Sequence, residues 1–397
     1  MPKKIILLLD GTSNQIDAKQ RTNVLRFYQC LLKRDDQVVY YDPGVGTIGD
    51  ENAWLSAWRK VQEVWGMATG WGLDRNVKDA YRFLVEHYDP GGEDAEGNKI
   101  PPDEIYLFGF SRGAYSARVL AGFLHAFGII EARNLNLLDY AYRAYKRIGE
   151  GGGAHAFEEI RLYENILDPH RPTIRFMGLF DTVASVIEWG RFGPRLKSHA
   201  FTKTNSSVQA VAHAVAIHER RTMFRGKLWP EGQPYKPNRF MKTEDAPPQH
   251  AREVWFWGVH GDIGGGYGEA ESGLAKLPLV WMIEEAQAQG AEFWTPTVNK
   301  LARGAREGDA YVKPNPLGKA HDSMTIWWWP VEILPRRKPE DSKKASIFGW
   351  YLPLSDPRTI PEDARIHWSV KVRAEHEGRW PVNMPETYRI EGTPPEE

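Results

Sequence analysis

In GFSRG, Gly109 to Gly113, a serine stands two residues after one glycine and two before another. That spacing suits a nucleophile carried on a sharp strand-to-helix turn, where side chains larger than hydrogen would crowd the backbone. The context fits. EIYLFGF before Ser111 reads as a buried strand, and AYSARVLAG after it as a helix of small residues. The competing reading is a serine that only caps that helix. A serine hydroxyl needs a base, and the base needs a carboxylate to orient it. In the order serine, acid, base, two later strand ends supply candidates: Asp181 from GLFDTVAS and His260 from GVHGDIGGGYGE. A rival pairing takes Asp262 as acid with His321, from KAHDSMT, as base. The developing oxyanion would be held by the N–H of Arg112 and by one from Gly11 or Thr12 in DGTSN, a turn that Asp10 would brace. His213 and His218 fall in a helical pattern and read as structural. Cys30, the single cysteine, reads as a small buried hydrophobe.

These residues predict acyl transfer from a carboxylic ester, with no cofactor and no metal. Two other classes stay open. One is a metal-dependent phosphoester hydrolase built on Asp10, Asp42, Asp181 and Asp262. The other is a non-catalytic lipid- or protein-binding module on a hydrolase scaffold.

The elements that must position these groups are legible as short apolar runs: KIILLLD, QVVYYD, EIYLFGF, TIRFMGLFD and EVWFWGVH. Each is almost continuously apolar, as strands buried on both faces are. Helical patterns cover residues 22–32, 76–87, 114–127, 135–145, 208–217 and 274–287. Alternation of this kind predicts an α/β-hydrolase-like, doubly wound, mostly parallel sheet with helices on both faces. Each of the five strand ends delivers a polar or turn residue, and in such a sheet those ends form the ligand crevice. Residues 1–325 read as the catalytic domain, 326–390 as an irregular, aromatic-rich extension or cap, and 391–397 as a disordered tail. GEGGGAH, from Gly149, and PRRKPEDSKKAS, from Pro335, read as exposed loops, the second able to touch an anionic surface.

With 51 Lys and Arg against 52 Asp and Glu, the chain gives no reason to expect nucleic acid as a partner. One cysteine rules out an intrachain disulfide, so folding needs no oxidising compartment. The apolar run near the start, Ile5 to Leu9, is too short for a secretory leader and reads as a strand; no run is long enough to span a membrane. The expectation is a protein that is cytoplasmic as made. Tryptophan is enriched at 16 residues, with WWWP and FGWYLPL in the last third; core packing is the favoured reading and a lipid-facing surface the alternative. Two decoys fail. LLLDGTS opens like an aspartyl phosphatase, but Leu8 stands where the nucleophilic aspartate belongs. GVGTIG, from Gly44, fits a dinucleotide fingerprint, but Pro43 precedes it and no following strand ends in an acidic residue about 20 residues on.

Taken together and in order, LLLDGTSN, YYDPGVGT, GWGLDRNVKDAYRFL, IYLFGFSRGAYSARVLAGFL, GLFDTVAS, HAVAIHERRTMF and VWFWGVHGDIGGGY resemble the α/β-hydrolase domain of the type VI secretion phospholipase effectors, from about Lys3 to Gly290. The resemblance implies a serine esterase acting on membrane phospholipids. It puts the family's serine on Ser111, its aspartate on Asp181 and its histidine on His260. It also implies peripheral membrane contact, a secretion-apparatus or immunity protein as partner, and contact-dependent export.

Overall fold

The computed structural model describes residues 2–11, 20–44, 71–151, 153–183, 187–190, 193–196, 199–238, 240–305, 310–339 and 342–395. The apolar runs become strands: β1 (Lys4–Leu9), β2 (Gln37–Asp42), β3 (Glu104–Phe110), β4 (Ile174–Phe180), β5 (Val208–Ala216), β6 (His250–Phe256), β7 (Ala364–His367) and β8 (Tyr388–Glu391). They form one sheet in the order β8-β7-β6-β5-β4-β3-β1-β2, and every neighbouring pair runs parallel. Parallel strands need covering on both faces. On one face α1 (Asn23–Cys30) and later α6 (Lys276–Ala288) pack Val24, Phe27, Met282 and Ile283 on Ile6, Leu8 and Phe108. On the other, α2 (Trp71–His87), α3 (Arg112–Ala126) and α4 (Leu138–Gly149) set Tyr81, Leu120, Phe123 and Tyr145 against Leu7, Leu107 and Leu179. This is the doubly wound, α/β-hydrolase-like architecture expected from the alternation. The order reverses at β1, so the crevice opens where β1 and β3 end, beside Asp10 and Ser111.

Three expectations are corrected. Residues 208–217, read as helix, form β5 between β4 and β6. The run VQAVAHAVA is rich in alanine but has no polar face. Ala210 and every residue from Val211 to Ala216 are buried, which a central strand achieves and a surface helix does not. The glycine-rich loop after Gly149 leads at once into an unforeseen helix, α5 (Gly153–Leu167). Glu391, placed by the sequence at the head of a disordered tail, ends β8 and pairs with Arg252 and Arg365. The region after residue 325 is largely irregular, as its pattern predicts. It nevertheless adds β7 and β8 to the sheet edge, with α7 (Trp368–Glu377) between them, started by His367 and closed by Gly378 at φ +67°.

Cys30 lies fully buried in the α1 face, and burial pushes its thiol up to about 12. Among the described residues no helix is long and apolar enough to cross a membrane.

Candidate active site

Ser111 ends the turn between β3 and α3. It occupies the position of a helix cap, yet its side chain makes no capping hydrogen bond. Its backbone sits at φ 58°, ψ −121°, a region that side chains rarely adopt. Holding it there costs on the order of 1–3 kcal/mol. The flanking glycines show what over-determines the turn. A Cβ on Gly113 would stand 2.0 Å from the Leu9 carbonyl oxygen, and one on Gly109 2.6 Å from the Ala114 nitrogen. Strand, elbow and the end of β1 are therefore pressed backbone to backbone, which only glycine permits. The turn is strained, and the hydrogen bond of an ordinary serine cap is absent.

His260 opens a single helical turn, His260–Gly264, just beyond β6. Its Nε2 lies 2.8 Å from Ser111 Oγ and its Nδ1 2.5 Å from Asp181 Oδ2. With Nδ1 against a carboxylate, Nδ1 carries the proton and Nε2 is left to accept from the serine. Phe110 and Phe224 pack on the imidazole at 4.6 and 4.9 Å between ring centroids. The His260 backbone N–H donates to Glu219 Oε2, and Glu219 is forked to Arg221 at 2.9 and 2.8 Å. Burial opposes charge on Glu219, but the Arg221 hydrogen bonds and charge bring its carboxyl down to about 2.

Asp181 follows β4, fully buried, with φ +39°. Each of its oxygens is doubly engaged. Oδ1 accepts from the Ala216 N–H at 2.9 Å and from Arg358 Nη1 at 2.5 Å; Oδ2 accepts from His260 and from Arg358 Nη2 at 2.9 Å. Burial alone would push this carboxyl up. The Arg358 charge and the His260 hydrogen bond outweigh it and hold the group well below the usual carboxylate range.

The rival pair is also real, but it is elsewhere engaged. His321 Nδ1 meets Asp262 Oδ1 at 2.6 Å, its Nε2 faces Glu271 at 3.4 Å, and its ring stacks on Tyr267 at 3.5 Å. Asp262 also accepts the Val259 N–H, and burial, the largest influence on it, raises its carboxyl. This pair braces the glycine loop that carries His260. Asp10 accepts from the Gly11 N–H at 2.7 Å, from Tyr41 at 2.9 Å and from the Thr22 hydroxyl, as a brace should. Thr12 lies outside the described residues. So do most of GVGTIG and the stretch after it. Arg112 opens α3, and the N–H groups of a helix's first turn point out of its end.

The strand-end aspartates do not converge. Asp10, Asp42, Asp181 and Asp262 each serve their own partners, and among the described residues no cluster of three His, Cys, Asp or Glu side chains could hold a metal ion. His213 sits fully buried on β5. It accepts the Thr182 N–H on Nε2 at 3.1 Å, so Nδ1 donates to Glu253 at 2.9 Å; burial lowers its pKa. It is structural, though on a strand. Phe224 closes the family-like stretch HAVAIHERRTMF but was given no role, and Arg358 carries no signal in the sequence. A lone arginine in SDPRTI, in the segment before β7, reaches Asp181 across 177 positions.

The chain is 24% identical to an uncharacterized protein of Saccharomyces cerevisiae, YEL023C, over 98% of its own length and 81% of that protein's. A crystal structure of an uncharacterized Pseudomonas aeruginosa protein matches 74% of the chain and 46% of its own, at 21% identity and a TM-score of 0.40. The Tle1 effector bound to the VgrG spike of the type 6 secretion system matches 69% and 53%, at 20% identity and a TM-score of 0.33. The chain thus spans about half the length of the solved structures it matches. Residues 3–285 match the type VI secretion family described as phospholipase effector Tle1-like, catalytic domain, and the chain belongs to that family.

Proposed function

We propose that the protein is a serine hydrolase that cleaves the acyl esters of phospholipids through a covalent acyl-enzyme. One observation carries the reading: a buried relay from Ser111 through His260 to Asp181, at 2.8 and 2.5 Å, behind a strained elbow. Ser111 Oγ attacks the ester carbonyl while His260 Nε2 takes its proton. The resulting imidazolium is held by Asp181 through Nδ1. Collapse of the tetrahedral intermediate expels the alcohol, which receives the proton from Nε2. Water then repeats the sequence on the acyl-enzyme and frees the acid. The Arg112 N–H is the oxyanion donor from the elbow. Because Asp10 already holds the Gly11 N–H, that group would have to turn from the carboxylate to serve as the second. A fluorophosphonate probe should label Ser111 alone, as read by peptide mapping. Folded protein that stays unlabelled would defeat the proposal.

The substrate assignment rests on the family and on a surface beside the site. Trp328 packs on Phe224, which packs on His260. From there Ile326, Ile333, Leu334, Ile347 and Phe348 face solvent, Phe348 at 99% exposure, on and around a hairpin pairing Arg336–Arg337 with Trp350–Tyr351. Apolar tips among Arg336, Arg337, Lys338 and Lys343 suit an anionic bilayer. Phe348→Ser should lower hydrolysis of phosphatidylglycerol vesicles by about 10-fold or more, the worth of one withdrawn aromatic. Its turnover of a short, soluble ester should not change. An equal loss on both substrates would remove the hairpin from substrate recognition. A secretion-apparatus or immunity protein as partner, and contact-dependent export, belong to the same proposal and follow from the family.

A further inference from the structure

The residue that completes this constellation comes from beyond the family's matched region, which stops at 285. Arg358 is 4% exposed, and its guanidinium forks onto both oxygens of Asp181. The same two nitrogens donate to the carbonyls of Ala216, at 3.1 Å, and Phe224, at 2.5 Å. Ala216 is the residue whose N–H also holds Asp181, and Phe224 is the ring against His260. The guanidinium lies 3.4 Å from where a Cβ on Gly226 would stand, so the loop after Phe224 passes directly beneath it. Arg358 is itself held from behind. Asn383 Nδ2 donates to its carbonyl at 2.9 Å and to Ile217 at 3.1 Å. Glu332, fully buried, binds Thr222 N–H at 2.8 Å and the Ser355 N–H at 3.2 Å, closing the segment onto the same loop.

We infer that Arg358 is a positioning residue for the proposed catalytic pair: it clamps Asp181 in the one orientation that serves His260 and ties that orientation to the docking of the C-terminal segment.

Two physical arguments support the assignment. A planar fork fixes the rotation of a carboxylate, which a single donor does not. A bare anion this deeply buried would otherwise tend to take up a proton, and a protonated Asp181 no longer orients the imidazole. The other charged groups around the pair do not substitute for Arg358. Glu219 adds negative charge beside the His260 backbone and is neutralised by Arg221. On the far side His213 is neutral and engaged by Glu253, with Arg118 behind it contacting Leu228.

The sign of the pH effect follows. Arg358 lowers the Asp181 carboxyl, so its removal raises it, and the Asp181–His260 pair accepts a proton at higher pH. The acidic limb of the kcat/KM profile should therefore move to higher pH in Arg358→Gln, with kcat/KM on a soluble ester falling about 10²-fold or more at its optimum. Arg358→Lys keeps the charge but not the fork. It should return the acidic limb close to that of the parent while recovering only part of the rate, a split that loss of packing alone would not produce.

The inference rests on the proposed triad, and Ser111→Ala measured beside these variants separates the two. If Ser111→Ala is active, the triad itself fails. If Ser111→Ala is inactive but folded Arg358→Gln keeps the parent's rate and acidic limb, only the role of Arg358 is overturned. Thermal unfolding establishes folding for each variant. Should Arg358→Gln not fold, Arg358→Lys decides: parental rate overturns the clamp, and reduced rate with an unmoved acidic limb upholds it.

Discussion

Ser111→Ala and His260→Ala each lose at least about 10⁴-fold in kcat on a soluble ester, while His321→Ala loses less than about 10-fold. The two histidines have similar surroundings in outline, each with Nδ1 on a buried aspartate, at 2.5 Å for His260 and 2.6 Å for His321. What differs is the other nitrogen. His260 Nε2 meets the strained serine, whereas His321 Nε2 meets Glu271. Losses from Ser111 and His260 should not add, because each alone disables the same relay. His321→Ala should instead show itself in stability, since it leaves the buried Asp262 carboxylate short of a partner. A large loss for His321→Ala with a mild one for His260→Ala would exchange their roles and break the proposed triad.

Gly113→Ala removes more than about 4 kcal/mol of stability or prevents folding outright, at the extreme of single substitutions, because here the backbone itself must yield. The new methyl would stand 2.0 Å from the Leu9 carbonyl oxygen and 2.5 Å from that of Asp10. Both are main-chain atoms of a central strand and its turn, and neither can swing aside as a side chain would. Gly268→Ala is the control, for nothing lies within 4 Å of the methyl it would add. It should change stability by less than about 0.5 kcal/mol. Denaturant unfolding of the two variants measures the difference. If Gly113→Ala unfolds at the same denaturant concentration as the parent, the close approach between elbow and β1 is not as described here.

What could be foreseen divides along physical lines. Ser111, Asp181 and His260, the three residues of the proposed relay, stand out because each follows a strand whose residues are apolar on both faces, and such strands end in the crevice. The strand β5 was hidden by its alanines, whose helical preference is real but weak against burial on two sides. The four-residue strands ARIH and YRIE are too short and too charged to show any period. Arg358 could not be seen at all. Its role depends on a contact between segments far apart in sequence, and no local pattern encodes such a contact. The choice between His260 and His321 likewise hung on which nitrogen faced which oxygen, something spacing does not report.

The separation of Asp181 from its guanidinium has a temporal side. Chains emerge from the ribosome at about 5–20 residues per second. The 177 positions that separate the two therefore represent roughly 9–35 seconds of synthesis. Throughout that interval β3, β4 and the elbow can pair, but the carboxylate destined for the interior has no counter-charge. A growing chain of this protein thus passes through a stage with much of its sheet assembled and the proposed relay incomplete. For a protein proposed to degrade phospholipid, such an order of events withholds competence until the segment bearing Arg358 has emerged, and it assigns that delay to one side chain.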